Sequence, residues 1–155
     1  MEPTEIRKYV SRLETTKSLE EETAWIKLRS LGIAIVPYLA DAYPIMKKWQ
    51  GRVSLVFHSM RYAKESEEAY QLGIRALNDR AKLVRYRACG LLAYSQSEEA
   101  IPHLKKLLRH GDSETVADAK AAIDAIKRRN HHYFIDRNHS GKIFWEVTEK
   151  DKMIE

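Results

Sequence analysis

The sequence predicts an all-α protein: a short right-handed α-solenoid of stacked helix pairs, closed at its C-terminal end by a β-hairpin. Three observations predict it. Apolar residues recur at helical spacing from the first residues to about residue 129. The tetrapeptide Ser66-Glu67-Glu68-Ala69 returns as Ser97-Glu98-Glu99-Ala100, 31 positions on. After Asn130 the helical period stops, and aromatic and β-branched residues cluster into two runs. The expected division is a helical-repeat domain over 1–130, a hairpin over 131–148 packed on the last repeat, and a charged, frayed tail over 149–155.

The elements follow in order. Ile6, Tyr9, Val10 and Leu13 make one apolar stripe on a first helix. Ser18 followed by Glu21 reads as a capping box, and Ala24, Leu28 and Leu31 carry a second stripe to Gly32, which suits a helix stop. Further helices are expected around 34–47, 50–64, 67–78, 81–95, 98–109 and 113–129, separated by Pro44, Asn78-Asp79 and His110-Gly111-Asp112, with Ser113 as the cap of the last. Lys127-Arg128-Arg129 fits a helix C-terminus, where the helix dipole favours cations. His131 to Asp136 and Lys142 to Val147 read as the two strands of the hairpin, with Gly141 in its turn.

Sliding the chain by the same 31 positions lays Val53 on Val84, Phe57 on Ala88 and Met60 on Leu91. Val84 and Val116 lie 32 apart, as do Leu91 and Ile123, and Val36-Pro37 lies 65 before Ile101-Pro102. A helix pair of this length cannot bury its apolar face alone, so neighbouring pairs must stack.

The run Ala100-Ile101-Pro102-His103-Leu104-Lys105-Lys106-Leu107-Leu108, followed by Gly111-Asp112 and Val116, resembles the short HEAT-like repeat of phycobilin lyase-type proteins. Leu31-Gly32 followed by Val36-Pro37-Tyr38-Leu39 is a second, weaker copy. The resemblance covers about residues 18–129 and implies a fold, not an activity. The chain departs from that pattern at Gln71, where proline is expected, and at Ser54, where the position matching Arg85 is basic in the family.

Composition narrows the function. The 155 residues carry 27 Lys+Arg against 22 Asp+Glu, a formal charge of +5, with 44% hydrophobic residues, six glycines and four prolines. That is one helix-rich domain. The basic excess is spread over the whole length, so no basic arm marks a nucleic-acid binder. One cysteine excludes an intrachain disulfide and a Cys-rich zinc site. No apolar run approaches the roughly 18 residues of a membrane span, and Met1-Glu2-Pro3-Thr4-Glu5 lacks the order of a secretory signal. A reducing, cytoplasmic setting and no membrane partner are expected.

Catalytic and metal chemistry find little support. Asp136-Arg137-Asn138-His139-Ser140-Gly141 resembles the start of an EF-hand-type calcium loop, but its twelfth position is Val147 instead of an acid, so a plain turn is the better reading. His131 and His132 are neighbours and would point apart on a strand. HEAT-like deoxyhypusine hydroxylases use His-Glu pairs, and no His-Glu dipeptide occurs here. HEAT-like alkylpurine DNA glycosylases surround a flipped base with arginines, aromatics and an acid. Trp49, Arg52, Arg61, Tyr62, Arg85, Tyr86 and Arg87 supply the first two types, and Asp118 is the nearest repeat-equivalent acid, one helix away.

What remains is a surface. Off the Val84, Ala88, Leu91 stripe lie Arg85, Tyr86 and Arg87, and the preceding unit adds His58, Arg61 and Tyr62. Tyrosine and arginine combine large contact area with hydrogen bonding. These six residues are the expected centre of a protein-binding face for an acidic partner, in a non-enzymatic module without cofactor or metal. Small HEAT-like proteins of this kind resemble some immunity or inhibitor proteins. The alternative is a nucleic-acid-binding HEAT-like protein, with Arg52, Arg61, Arg85 and Arg87 on phosphates.

Overall fold

The computed structural model describes residues 1–147. Helix α1 (Pro3–Ser11) begins on Pro3, at a position where the missing N–H would have had no partner, and buries Ile6 and Val10. Helix α2 (Ser18–Leu28) buries Ala24, Trp25 and Leu28. A 3-10 segment, Arg29–Ile35, leads to α3 (Val36–Ala42), and Gly32 at φ 61° supplies the break between them. Then come α4 (Trp49–Ser59) with the 3-10 turn Met60–Tyr62, α5 (Glu67–Ala76) and α6 (Lys82–Ser95). The 3-10 turn Glu98–Ala100, α7 (Ile101–Lys106), the turn Leu107–Arg109 and α8 (Ser113–Lys127) complete the helical part. No described helix is long and apolar enough to cross a membrane.

Two of the expected caps move by one residue. Ser18 is the first residue of α2 and not its cap; Lys17 is, and Thr15 donates instead to Glu20. Asp112, not Ser113, caps α8, taking the Thr115 amide at 3.0 Å on its carboxylate. Ser66 does cap α5, accepting the Ala69 amide.

Each odd-numbered helix packs on the even-numbered helix that follows it, and neighbouring pairs meet through α1 with α3, α3 with α5, α4 with α6, and α6 with α8. The even-numbered helices begin at Ser18, Trp49, Lys82 and Ser113, spacings of 31, 33 and 31 residues. The repeat length therefore changes between α4 and α6, and the uniform shift of 31 misplaces α4 by two residues. Leu55 is the position matching Ala88, and both are fully buried, whereas Phe57 is 41% exposed. The core divides into an N-terminal cluster around Leu13, Leu28 and Leu39 and a C-terminal one around Leu72, Leu91 and Ile126, with Tyr43 packed against both.

Two arginines tie successive pairs together in the same way. Arg52 on α4 reaches back to the Met46 and Lys47 carbonyls through Nη1 (3.3 and 2.9 Å) and forward to Asp79 with a two-pronged bond, Nε to Oδ2 at 2.8 Å and Nη2 to Oδ1 at 3.1 Å. Arg85, 33 residues later, reaches back to the Asp79 carbonyl at 2.8 Å and forward to Thr115 Oγ1 at 3.0 Å, with Asp112 3.8 Å away. The basic residue expected at Ser54 is thus present as Arg52. Asp79 also accepts the Tyr43 hydroxyl at 2.6 Å and the Ala81 amide at 2.9 Å. Burial alone would raise its carboxyl, but the bonds from Arg52, Tyr43 and Ala81 outweigh that and hold it below its ordinary value.

The expected C-terminal hairpin is not formed. Residues 131–134 make a 3-10 turn, His131–Phe134, capped by the Asn130 side chain, and residues 142–147 run without strand pairing. Side chains take the place of a ladder: the Trp145 amide donates to His132 Nδ1 at 2.8 Å, and His131 Nε2 holds the Trp145 carbonyl at 2.9 Å. Phe134 is fully buried against the open side of Gly90, Arg137 pairs with Asp118 at 3.0 Å, and His139 pairs with Asp124. The segment packs on α8 and α6. The tail expected over 149–155 lies outside the described residues.

Candidate interaction surface

Helix α4 lies between α2 and α6 and also packs on α3 and α5, and α6 lies between α4 and α8 on top of α5, so each leaves only a narrow strip to solvent. That geometry overturns the exposure expected for most of the six candidate residues. His58, Arg61, Tyr62 and Arg85 are buried; Tyr86 and Arg87 are half-buried. The expectation failed because one apolar stripe per helix was taken to mean one covered side, whereas these helices are covered on three. Arg52 is buried as well. Three of the four arginines considered for phosphate contact therefore sit inside, two of them fully committed to the inter-pair brackets.

The buried members make a polar seam between α2 and α4. Glu21 Oε2 accepts the Ser54 hydroxyl and His58 Nε2, the latter at 2.7 Å. The His58 ring lies flat on Trp25, with centroids 3.7 Å apart and planes 11° from parallel, and the Arg61 guanidinium covers Trp25 at 5.4 Å. Burial pushes the Glu21 carboxyl up, but His58, by hydrogen bond and by charge, and Ser54 pull it below its ordinary value. Glu21 is therefore ionised and matched, and its charge is spent inside the seam.

Above the seam is an open groove of about 290 Å³, walled by Thr16, Glu21, Val53, Ser54, Phe57 and Arg87. Phe57 stands at its edge, and the Arg87 guanidinium lies over the Phe57 ring at 4.8 Å and over Tyr86 at 5.4 Å. Tyr86 in turn meets Phe134, and Phe134 meets Trp145, each pair 5.5 Å between centroids. An aromatic band interleaved with a cation thus runs along α4 and α6 onto the C-terminal segment. Of the sequence candidates, the structure brings Tyr86 and Arg87 to this band, and it adds Phe57, which the 31-residue register had put in the core. The correct spacing of 33, legible from the pairing of Arg52 with Asp79 and Arg85 with Asp112, sets Phe57 opposite Gly90 and off the stripe.

The arrangement offers contact chemistry. Among the described residues, no group of three or more His, Cys, Asp or Glu side chains is placed to hold a metal ion. The carboxylate that would head a calcium loop, Asp136, is buried and turned onto its own chain, accepting the Ser140 amide and hydroxyl and the Gly141 amide at 2.8–3.0 Å. Asp118 is engaged with Arg137; burial nevertheless raises its carboxyl, since the desolvation outweighs the pairing. Burial likewise raises the Cys89 thiol, far from the thiolate a nucleophile needs. No protein-family model matches this sequence, and no curated protein matches it.

Proposed function

We propose that this chain is a non-enzymatic protein-binding module, built as a short HEAT-like solenoid of four helix pairs, whose α4–α6 groove receives an acidic partner. The observation that carries the reading is the pairing of an exposed phenylalanine with a cation at the groove edge. Phe57 supplies apolar area, and Arg87, held over two rings, presents a charge that the aromatic faces orient without neutralising. Glu21, the acid in the wall, is already matched by His58 and Ser54, so the local field is set by the cation. An aromatic anchor beside a fixed arginine is the residue pair that most often dominates binding energy at protein interfaces. The 33-residue arginine brackets support the repeat assignment, because equivalent bonds recur at equivalent positions of successive pairs.

The test is a partner recovered by affinity capture and then titrated against Phe57→Ala, Arg87→Ala and Arg87→Glu. All three substitutions lie on a solvent-facing strip and should leave the helical circular dichroism unchanged. Phe57→Ala should weaken binding by about tenfold, the scale of one interface anchor. Arg87→Glu should lose more than Arg87→Ala, because like charges then oppose each other. A partner that binds wild type and all three variants equally would place the function on another surface.

A further inference from the structure

The two ends of the helix stack differ in chemistry. At the C-terminal end, the exposed strip of α8 reads Ser113, Ala117, Lys120 and Lys127, the polar outer face that a terminal unit needs in water. At the N-terminal end, α2 packs on α1 on one side and faces α4 across the Glu21–His58 seam on another. Its remaining face carries Leu19, 73% exposed, and Ile26, 54% exposed, with Thr23 between them. These three fall at i, i+4 and i+7, one continuous stripe on a helix. The Thr23 hydroxyl is turned back onto the Leu19 carbonyl at 2.8 Å, which satisfies that hydroxyl within its own helix. Helix α2 thus has two apolar faces, as an interior helix of the stack does, while standing at its end.

We propose that this face binds a second copy of the chain, α2 against α2 in antiparallel orientation across a two-fold axis near Thr23. Head-to-tail stacking is disfavoured, because it would press Leu19 and Ile26 onto the polar strip of α8. A two-fold contact instead matches the surface to itself. Antiparallel pairing sets Leu19 of one copy against Ile26 of the other, twice. It also brings the exposed Glu20 of each copy beside the exposed Lys27 of its partner copy, so acid meets base on both flanks. A parallel pairing would put Glu20 beside Glu20 and Lys27 beside Lys27. The contact is small: an 11-residue helix is about 16 Å long, well short of the roughly 800 Å² per partner of a standard interface. The dimer is therefore weak, with dissociation expected around 10–500 μM, between the micromolar and millimolar marks of the affinity scale.

Sedimentation equilibrium of the full chain, from about 5 μM to about 1 mM, reads it directly. The weight-average mass should rise from the monomer toward twice that value as concentration increases. Leu19→Asp, with unchanged circular dichroism, should stay monomeric across the range. Glu20→Lys should weaken association at least threefold, and Glu20→Lys combined with Lys27→Glu should restore it, which only the antiparallel register allows. A monomer at every concentration, a dimer indifferent to Leu19→Asp, or a double charge swap that fails to restore association would each overturn the proposal. The groove at Phe57 and Arg87 is a separate surface, so loss of one interaction leaves the test of the other intact.

Discussion

Replacing Arg52 by methionine tests whether the brackets between helix pairs hold the stack together. The substitution keeps the length and much of the apolar stem and removes the guanidinium. Asp79, buried in the folded chain, then loses both prongs of its ion pair and keeps the Tyr43 hydroxyl and the Ala81 amide. Stripping one partner from a buried pair costs about 3–5 kcal/mol, because a buried charge is left behind. Two surviving bonds put this case at the low end, about 3 kcal/mol. The equivalent change, Arg85→Met, strands no carboxylate to the same degree: it removes the bonds to Thr115 Oγ1 and the Asp79 carbonyl, and Asp112 keeps Thr115. Its expected cost is about 1–2 kcal/mol, the scale of two hydrogen bonds. Urea unfolding followed by circular dichroism measures both, and Arg52→Lys, which keeps the charge without the fork, should fall between wild type and Arg52→Met. Since Asp79 serves both arginines, the double variant should depart from additivity by at least about 0.5 kcal/mol. An Arg52→Met loss below about 1 kcal/mol, or an Arg85→Met loss that exceeds it, would refute the reasoning.

Two further outcomes follow from the interior. Glu21 and Asp79 are held below their ordinary values in the folded chain, so the unfolded chain takes up their protons first. The stability they contribute is complete above the ordinary carboxyl range and is lost as pH falls through the lower folded values. Urea midpoints should hold from pH 7 to about pH 5 and drop below about pH 4.5, and Glu21→Gln should flatten that drop. Asp118, raised by burial, works with the opposite sign, so Asp118→Asn should leave the decline at least as steep. Gly73→Ala on α5 would set a methyl 2.6 Å from Cδ2 of the fully buried Leu91. The overpacking, about 1–3 kcal/mol, should exceed the gain of up to about 1 kcal/mol in helix propensity, lowering the thermal midpoint; a raised midpoint would show that Leu91 yields freely.

How much was legible in the sequence divides along a physical line. The helices were legible because each carries a stripe of apolar residues at helical spacing, and their observed bounds fall within a few residues of those expected. The C-terminal segment was not. His131 to Asp136 and Lys142 to Val147 have strand-like composition, but backbone pairing loses here to local side-chain bonds. Asn130 caps a 3-10 turn, Asp136 closes a turn on Ser140 and Gly141, and His131 and His132 grip Trp145. Composition reports which residues suit a strand and says nothing of such competing partners.

The misplaced surface has a single origin in the repeat itself. The SEEA tetrapeptides lie at the starts of α5 and of the turn before α7, where the spacing is 31, and that number was carried onto α4, where it is 33. A slip of two residues turns a helix by about 200°. It exchanged Phe57 for Leu55 as the core residue and sent His58 outward, although His58 lies flat on Trp25. The arginines were misread for a related reason. A charged residue off the apolar stripe is usually solvated, but in a stack of pairs the off-stripe positions of an inner helix face the next pair, and a charge survives there only if bonded. Arg52 and Arg85 meet that condition through partners 27 residues downstream, Asp79 and Asp112. The same condition explains why the candidate surface narrows to Phe57, Tyr86 and Arg87: once the inner polar residues are assigned to holding neighbours together, these are the side chains of α4 and α6 left to meet another molecule.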